Sequence, residues 1–364
     1  MRAVALTRYT ADIDHPDAVF DTELPLPARP LGHDVLVNVR AVSVNQLDNR
    51  VRRPKEKVES APRVIGFDAA GVVTAVGPEV TAFRPGDRIY YSGDPARPGS
   101  HAEYQLVDER IAGRMPDSLS FAQAAALPMA ALTAWELLFD RLRVPRSGAA
   151  AVDVYRQHAF GAAQWTPPAP GRVRTALIIG AAGGVGSMAV QLAARVAGLR
   201  VVATASRPAS RAWAEQMGAH HVIDHFGDMG AQMEALGLPA PDYVLVLADT
   251  DRYYPLAARL VAPQGAIGLA VAATLPVDLG LLWDKSVTLA WEMIYTRVDY
   301  GTPDLAAQRA ILNEVAALAD RGVLRPIDTE HLGRITAANL RAAHRRMAGG
   351  RMTGKLVLEG FNDV

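Results

Sequence analysis

The sequence predicts an α/β protein in which a β-rich N-terminal part precedes a doubly wound parallel sheet, and three observations carry that prediction. Residues 1 to about 120 show strand-like alternation broken by proline and glycine. From about residue 122, short apolar runs alternate with stretches of helical spacing, the pattern of a parallel sheet with helical crossovers. Within that second part, Ala176-Leu177-Ile178-Ile179-Gly180-Ala181-Ala182-Gly183-Gly184-Val185-Gly186-Ser187 reads as a strand passing through a glycine turn into a helix.

Taken in order, the runs Val35 to Val42 and Ala70 to Gly77 alternate as half-buried strands, and Pro25, Pro27, Pro30, Pro78, Pro85-Gly86-Asp87 and Pro98-Gly99 mark turns. Phe121 to Phe139 is apolar but carries Gln123, Pro128 and Glu136, which suits one or two buried helices better than a membrane span. Ala176 to Ile179 is short, rich in Ile and Leu and bounded by Gly, as a strand buried on both faces must be. Met188, Leu192 and Val196 then recur every four residues with Ala189 and Ala193 beside them, giving a helix that packs on that strand.

Further strands are expected at Leu199 to Thr204, His221 to Ile223, Tyr243 to Ala248 and Ala266 to Ala270, with helices between the strands from Ala176 to Ala270, and another strand at Val287 to Ala290. Thr302-Pro303-Asp304 predicts a helix start with an N-cap, a proline in the first turn and an early acid. Ile311, Leu312, Val315 and Leu318 supply the apolar stripe of that helix, Gly322 ends it, and the last strand is Lys355 to Leu358. Arg143 to Thr175, with Pro145, Gly148, Gly161, Pro167, Pro168, Pro170 and Gly171, predicts a long loop that is either functional or a tolerated surface insertion.

At 364 residues and 50% hydrophobic content the chain has room for two ordinary domains. Its 38 basic and 38 acidic side chains give no net charge, which removes the electrostatic case for nucleic acid or an anionic membrane as partner. The absence of cysteine excludes disulfides, thiol catalysis and every cysteine-ligated zinc or iron–sulfur site. Met1 to Thr7 turns polar too quickly for a signal peptide, so a cytoplasmic setting is expected.

The glycine turn predicts a dinucleotide site. Backbone N–H groups at the helix start would face a pyrophosphate, Gly183, Gly184 and Val185 would form the turn that approaches it, and Gly186 would allow close helix–strand contact. Ala181 stands where the usual fingerprint has its first glycine, and an ordinary strand-to-helix turn is the competing reading. At the end of the next strand, Ala203-Thr204-Ala205-Ser206-Arg207-Pro208-Ala209-Ser210-Arg211 holds no carboxylate to take a ribose 2′-hydroxyl or repel a 2′-phosphate. Ser206, Arg207 and Arg211 suit a phosphate, so NADPH is favoured over NADH, with two solvated arginines as the alternative.

The runs Ala41-Val42-Ser43-Val44-Asn45-Gln46-Leu47-Asp48, Gly66-Phe67-Asp68-Ala69-Ala70-Gly71, Gly86-Asp87-Arg88-Ile89-Tyr90, Gly99-Ser100-His101-Ala102-Glu103-Tyr104, Leu132-Thr133-Ala134-Trp135, Gly183-Gly184-Val185-Gly186, Gly218-Ala219-His220-His221-Val222-Ile223-Asp224 and Gly354-Lys355-Leu356-Val357-Leu358 span nearly the whole chain. Together they resemble the medium-chain dehydrogenase/reductase superfamily in its zinc-free quinone oxidoreductase branch, and are similar to the proteins called zinc-type alcohol dehydrogenase-like. The resemblance implies a GroES-like β-rich substrate domain over 1–125, a Rossmann NADPH-binding domain over 126–295 and a return to the first domain over 296–364. It implies an active site in the cleft between domains and a homodimer formed edge to edge through the strand near Val287.

By the same resemblance, Asn45 and Phe67 stand where zinc members of the superfamily have a cysteine and a histidine, so no metal site is expected. The activity implied is hydride transfer from NADPH to a quinone or to the double bond of an enone or enal. Asn45 would position the nicotinamide, Thr133 would meet its carboxamide, Asp48 would organise the Asn45 loop and Arg50 would stabilise charge on the acceptor oxygen. His225 would lie over the 2′-phosphate, Leu269 and Ala270 would offer backbone groups to the nicotinamide, and Lys355 is carried as a further cofactor contact. Plain structural readings stand beside these: a turn for Asn45, a helix cap for Asp48, a solvated cation for Arg50, a loop residue for His101 and a surface residue for His225. Tyr90 and Tyr91 either line the substrate cleft or pack within a strand. Two other functions remain open, a zinc-independent carbonyl or alcohol oxidoreductase and an NADPH-binding structural or sensing protein.

Overall fold

The computed structural model describes residues 1–146 and 173–361, so most of the predicted loop, 147–172, lies outside the described residues. The chain forms two compact units, one of Met1–Met129, Tyr295–Gly322 and Pro326–Val364, the other of Ala130–Ile294 and Val323–Arg325.

The first unit opens with β1 (Arg2–Arg8), β2 (Phe20–Glu23), β3 (Asp34–Val44), the short helix α1 (Gln46–Val51) and β4 (Val58–Val64). It continues with β5 (Asp68–Val76), β6 (Arg88–Ser92), β7 (Tyr104–Asp108), β8 (Ala112–Arg114), α2 (Phe121–Ala125) and the start of α3 (Pro128–Trp135). Two sheets result, a three-stranded one in the order β2-β1-β4 and a seven-stranded one built around β3. In β3, Val35, Val37 and Val39 alternate inward as the period-2 pattern requires, whereas Ala41 to Val44 are buried throughout.

One of those flanking strands comes from the far end of the chain. The C-terminal part adds α8 (Thr296–Asp299), α9 (Ala307–Asp320), β15 (Asp328–His331), α10 (Ala337–Ala348) and β16 (Lys355–Glu359) to this unit. β16 runs antiparallel to β3 with Leu356 opposite Val44, and β5 runs antiparallel on the other side with Asp68 opposite Ser43. The end of β3 and the starts of β5 and β16 therefore meet. Leu340 and Met347 of α10 pack into the same core as Val35, Val42 and Leu356, and burying a leucine such as Leu340 contributes about 2 kcal/mol.

The Thr302-Pro303-Asp304 helix start is corrected: α9 begins at Ala307, after a separate turn. Thr302 Oγ1 donates to Asp304 Oδ1 at 2.6 Å and the buried Arg297 donates from Nε to Asp304 Oδ2 at 2.9 Å, so the acid answers a guanidinium instead of free helical N–H groups.

The second unit is built on an all-parallel six-stranded sheet. Its strands are β9 (Thr175–Ile179), β10 (Arg200–Thr204), β11 (His221–Ile223), β12 (Tyr243–Val246), β13 (Ala266–Leu269) and β14 (Thr288–Trp291). They lie in the order β11-β10-β9-β12-β13-β14, so the winding reverses between β9 and β12. All five residues of β9 are buried, as expected of a strand covered on both faces. The crossover helices are α4 (Gly184–Gln191), α5 (Pro208–Met217), α6 (Met229–Ala235) and α7 (Thr250–Leu260). α4 runs on into a wider π-type turn over Leu192–Val196, closed by Ala197 N–H donating to Leu192 O at 2.9 Å. No helix of the described residues is long and apolar enough to cross a membrane.

Candidate functional site

In the first unit the convergence of three strand ends buries a polar network. Asn45 follows β3 and caps α1, Asp68 starts β5 and Lys355 starts β16; Asp48 of α1 and Asp68 are wholly buried and the other two nearly so. Asn45 N–H donates to Asp48 Oδ2 at 2.7 Å, which is half of a capping box. The Asn45 side chain also reaches the neighbouring strands. Its Nδ2 donates to Asp68 Oδ2 at 3.0 Å and its Oδ1 accepts from Lys355 Nζ.

Lys355 Nζ also donates to Asp68 Oδ2 at 3.1 Å and Val44 O at 3.4 Å, so its three N–H groups have three acceptors. Asp68 Oδ1 accepts from Met129 N–H at 2.8 Å. Lys355, expected as a cofactor contact, thus has its ammonium set against Asn45 and Asp68, where two closely buried carboxyls need a cation.

Asp48 differs from Asp68 in having its Oδ1 buried without a partner. Burial raises its pKa to about 7; the Asn45 N–H and Lys355 pull it down without cancelling that effect, and Asp68 adds repulsion. Tyr295 closes the network from another side. Its hydroxyl lies 2.9 Å from Ser92 Oγ, its ring meets Phe67 at 6.0 Å between centroids, and burial holds it neutral far above the usual tyrosine range. Arg50 takes no part: it sits exposed on the last turn of α1, where partial burial and Arg53 lower its pKa. Tyr90 and Tyr91 are buried strand residues, bonded to Leu312 O at 2.6 Å and Gln105 Oε1 at 2.9 Å.

These residues do not fit a zinc ion. The chain lacks cysteine, an amide and a phenyl ring stand at positions 45 and 67, and no group of three His, Cys, Asp or Glu among the described residues could hold a metal.

Two histidines lie buried in the same unit. His101 is 1% and His344 2% exposed, and burial pushes each pKa down to about 3 from 6.5, with His101 and Arg52 adding to the effect on His344. Both fold in the neutral form, so below pH 6.5 the unfolded chain takes up protons that the native state refuses, and stability falls as pH drops from 6.5 toward 3. The expected loss between pH 6.5 and 5 is on the order of 1 kcal/mol per pH unit for each histidine. Urea unfolding at stepped pH measures it, and a flat profile over this window contradicts it.

In the second unit the glycine turn is anchored and open at once. Gly180 takes the left-handed conformation, φ 85°, and its N–H donates to Thr204 Oγ1 of β10 at 3.1 Å. That explains why Ala181 suffices at the next position. Gly183 caps α4, and the N–H groups of Gly184, Val185 and Gly186 at the helix start have no hydrogen-bond partner among the described residues. A Cβ built on Gly183 would meet nothing nearer than Gly180 O at 3.8 Å, whereas one on Gly186 would strike Gly180 O at 2.3 Å. The first glycine therefore faces open space and the second seals helix against strand.

Ala205 N–H donates to Ile223 O at 3.0 Å, which sets the ends of β10 and β11 side by side and brings Ser206 and Arg207 to the same edge as His225. Ser206 is half-buried and Arg207 is exposed at the N-terminus of α5. Arg211, expected at a phosphate, donates from its guanidinium to Ala205 O at 3.1 Å and Val222 O at 2.7 Å, clamping the ends of β10 and β11. His225 lies half-buried against Phe226, ring centroids 4.4 Å apart. At Leu269 and Ala270 the sheet continues, with Leu269 O accepting from Glu292 N–H at 2.9 Å and Ala270 N–H donating to Val246 O at 3.1 Å. Thr133 is buried on α3.

Asp68 and Tyr295 are the residues that sequence reasoning passed over. Asp68 was visible inside a quoted motif, but only the β3–β5 register shows what it faces.

A family profile described as alcohol dehydrogenase GroES-like domain matches residues 32–117, and one described as zinc-binding dehydrogenase matches residues 184–306. The chain is 36% identical over 340 residues to a zinc-type alcohol dehydrogenase-like protein of Staphylococcus aureus, covering 93% of this chain and 94% of that one. It is 30% identical over 341 residues to a quinone oxidoreductase of Pseudomonas aeruginosa, covering 91% and 93%. The crystal structure of a putative zinc-dependent alcohol dehydrogenase protein from Rhizobium etli superposes with a TM-score of 0.88 at 45% identity, over 100% of this chain and 99% of that one.

Proposed function

Because the chain belongs to the medium-chain dehydrogenase/reductase superfamily, we propose that it is a metal-independent oxidoreductase that uses NADPH to reduce a quinone or the double bond of an enone or enal. The observation that carries this reading is the edge of the second unit. Among the described residues three helix N–H groups lack a partner beside Gly183, whose added Cβ would meet only Gly180 O at 3.8 Å, and no carboxylate follows β10, where Ser206 and Arg207 stand instead. Such an edge receives a pyrophosphate and tolerates a 2′-phosphate.

When bound, NADPH supplies the hydride. Gly183 to Gly186 hold the pyrophosphate by backbone N–H, Ser206 and Arg207 take the 2′-phosphate, and His225 and Thr133 complete the grip on adenosine and carboxamide. In the first unit, Lys355 and Asp68 fix the amide of Asn45, and Asp48 is the group that titrates near neutrality. An acceptor that is already conjugated to a carbonyl spreads the incoming charge itself, so orientation and fixed dipoles suffice and no Lewis acid is required.

The test is a steady-state screen of quinones, enals, enones, aldehydes and alcohols with NADPH and NADH, each with and without a chelator. NADPH oxidation with a quinone or enone, at least tenfold preferred over NADH and unchanged by the chelator, is the expected result. A chelator-sensitive alcohol oxidation overturns it in favour of zinc chemistry. The pH profile should break near 7 in the native protein and lose that break in Asp48→Asn.

The reading includes a homodimer. Among the described residues β14 has β13 as its one neighbouring strand, and Trp283 (82% exposed), Trp291 and Met293 lie uncovered along or beside this edge. An open apolar strand edge invites pairing with a second copy. Light scattering should give twice the 38.9 kDa chain mass, and a monomer at micromolar concentration contradicts it.

A further inference from the structure

The helix α7 begins beside the glycine turn. Only Leu247, Ala248 and Asp249 separate it from β12, and a Cβ built on Gly180 would lie 3.3 Å from the Ala248 side chain. Its first two residues, Thr250 and Asp251, therefore stand at the carboxyl edge of the parallel sheet.

Both bond to the segment that leaves β13. Thr250 is buried, and its Oγ1 donates to Val271 O at 2.5 Å. Asp251 accepts from Thr274 N–H at 3.0 Å, from Leu275 N–H at 3.1 Å and from the Thr274 hydroxyl. The Thr274 hydroxyl and the Leu275 N–H hold the Asp251 carboxyl below the usual carboxylate range, so these are bonds to an ionised acceptor, about twice as strong as neutral ones.

Between the two anchors the N–H groups of Val271, Ala272 and Ala273 have no hydrogen-bond partner among the described residues. The loop thus presents backbone donors on a frame fixed at both ends. Farther along the crossover to β14, Tyr254 Oη donates to Asp278 O at 2.8 Å and Lys285 Nζ donates to Arg259 O at 2.6 Å. Loss of Asp251 consequently frees the part nearest the sheet edge and leaves the remainder docked.

The winding of the sheet decides which half of a dinucleotide meets this loop. Strand order reverses between β9 and β12, and a dinucleotide lies across such a reversal with its two nucleosides on opposite sides. Ser206 and Arg207 follow β10 on one side, whereas 271–275 follows β13 on the other. With the adenosine 2′-phosphate at Ser206 and Arg207, the nicotinamide half falls to 271–275.

We propose that Thr250 and Asp251 are positioning residues: they clamp 271–275 against α7, and the clamped loop orients the nicotinamide. Neither residue needs to touch the cofactor, since each acts through the loop backbone. The inference rests on the NADPH reading given above and adds to it the device that fixes the reacting ring.

The experiment titrates the full chain with NADPH and with 2′-phospho-ADP-ribose, which keeps the pyrophosphate and the 2′-phosphate but lacks the nicotinamide. Asp251→Ala should weaken NADPH about tenfold and lower the fluorescence anisotropy of the bound nicotinamide, while affinity for the fragment stays within about twofold. Asp251→Asn keeps an acceptor for the two loop N–H groups and should restore NADPH affinity to within about threefold of the native value. Thr250→Val, which preserves shape and removes only the donor, should repeat the split between NADPH and fragment. Equal weakening of both compounds in Asp251→Ala, or no change in either, overturns the clamp while leaving the NADPH reading intact. A native protein that binds neither compound defeats the NADPH reading itself, and this inference with it.

Discussion

Replacing Lys355 with methionine is expected to destabilise the protein by about 3–5 kcal/mol, because it leaves a fully buried carboxylate without its cation. Asp68 has zero exposure and accepts from Lys355 and Asn45 through a single oxygen. Lys355 also lowers the pKa of Asp48, so its loss pushes a second buried carboxyl further toward its protonated form. The double variant Lys355→Met with Asp68→Asn removes both charges and should recover more than half of the loss. A double-mutant cycle by urea unfolding reads the coupling directly. A single-variant loss below about 1 kcal/mol, the range of a solvent-exposed pair, would mean that the network is wetter than its burial indicates.

The second large effect belongs to Gly186. A side chain there begins with a Cβ 2.3 Å from Gly180 O and 2.5 Å from Ala181 C, both backbone atoms that no rotamer change can move. Gly186→Val should therefore force α4 away from β9, with a loss of about 2–4 kcal/mol by overpacking and of measurable NADPH binding. Gly183→Ala is the informative contrast. Its φ of −73° suits any residue and its Cβ meets open space, so the fold should be unchanged while the new methyl stands where a phosphate would approach, weakening NADPH about tenfold. Melting curves and NADPH fluorescence titration separate the two outcomes. Equal affinities for native protein and Gly183→Ala would place the pyrophosphate elsewhere.

The glycine turn was legible in the sequence because everything that makes it is local. Strand, turn and helix lie within Ala176 to Val196, and their periodicities change where the chain turns. The network around Asn45 was not legible, because Lys355 lies 310 residues from Asn45 and 287 from Asp68. No short-range pattern records an antiparallel register across such a separation. Arg211 shows a different limit. Its charge and place beside β10 suggest a phosphate ligand, but no local pattern shows that the strand-end carbonyls of Ala205 and Val222 also take two of its donors. Thr302 and Asp304 formed a plausible cap until the buried Arg297, a residue with no sequence-level mark of burial, drew the acid away.

The placement of β16 beside β3 bears on how the protein is made. Sequential pairing can begin as soon as β3 and β5 have left the ribosome, but the neighbour on the other flank of β3 is translated some 310 residues later. Until then Asp68 has no ammonium to answer it, and one margin of β3 stays bare. Such distant closure slows maturation and prolongs exposure to misassembly. Nascent chains halted before Gly354 should accordingly be protease-sensitive over β3, and release of the last strand should protect them.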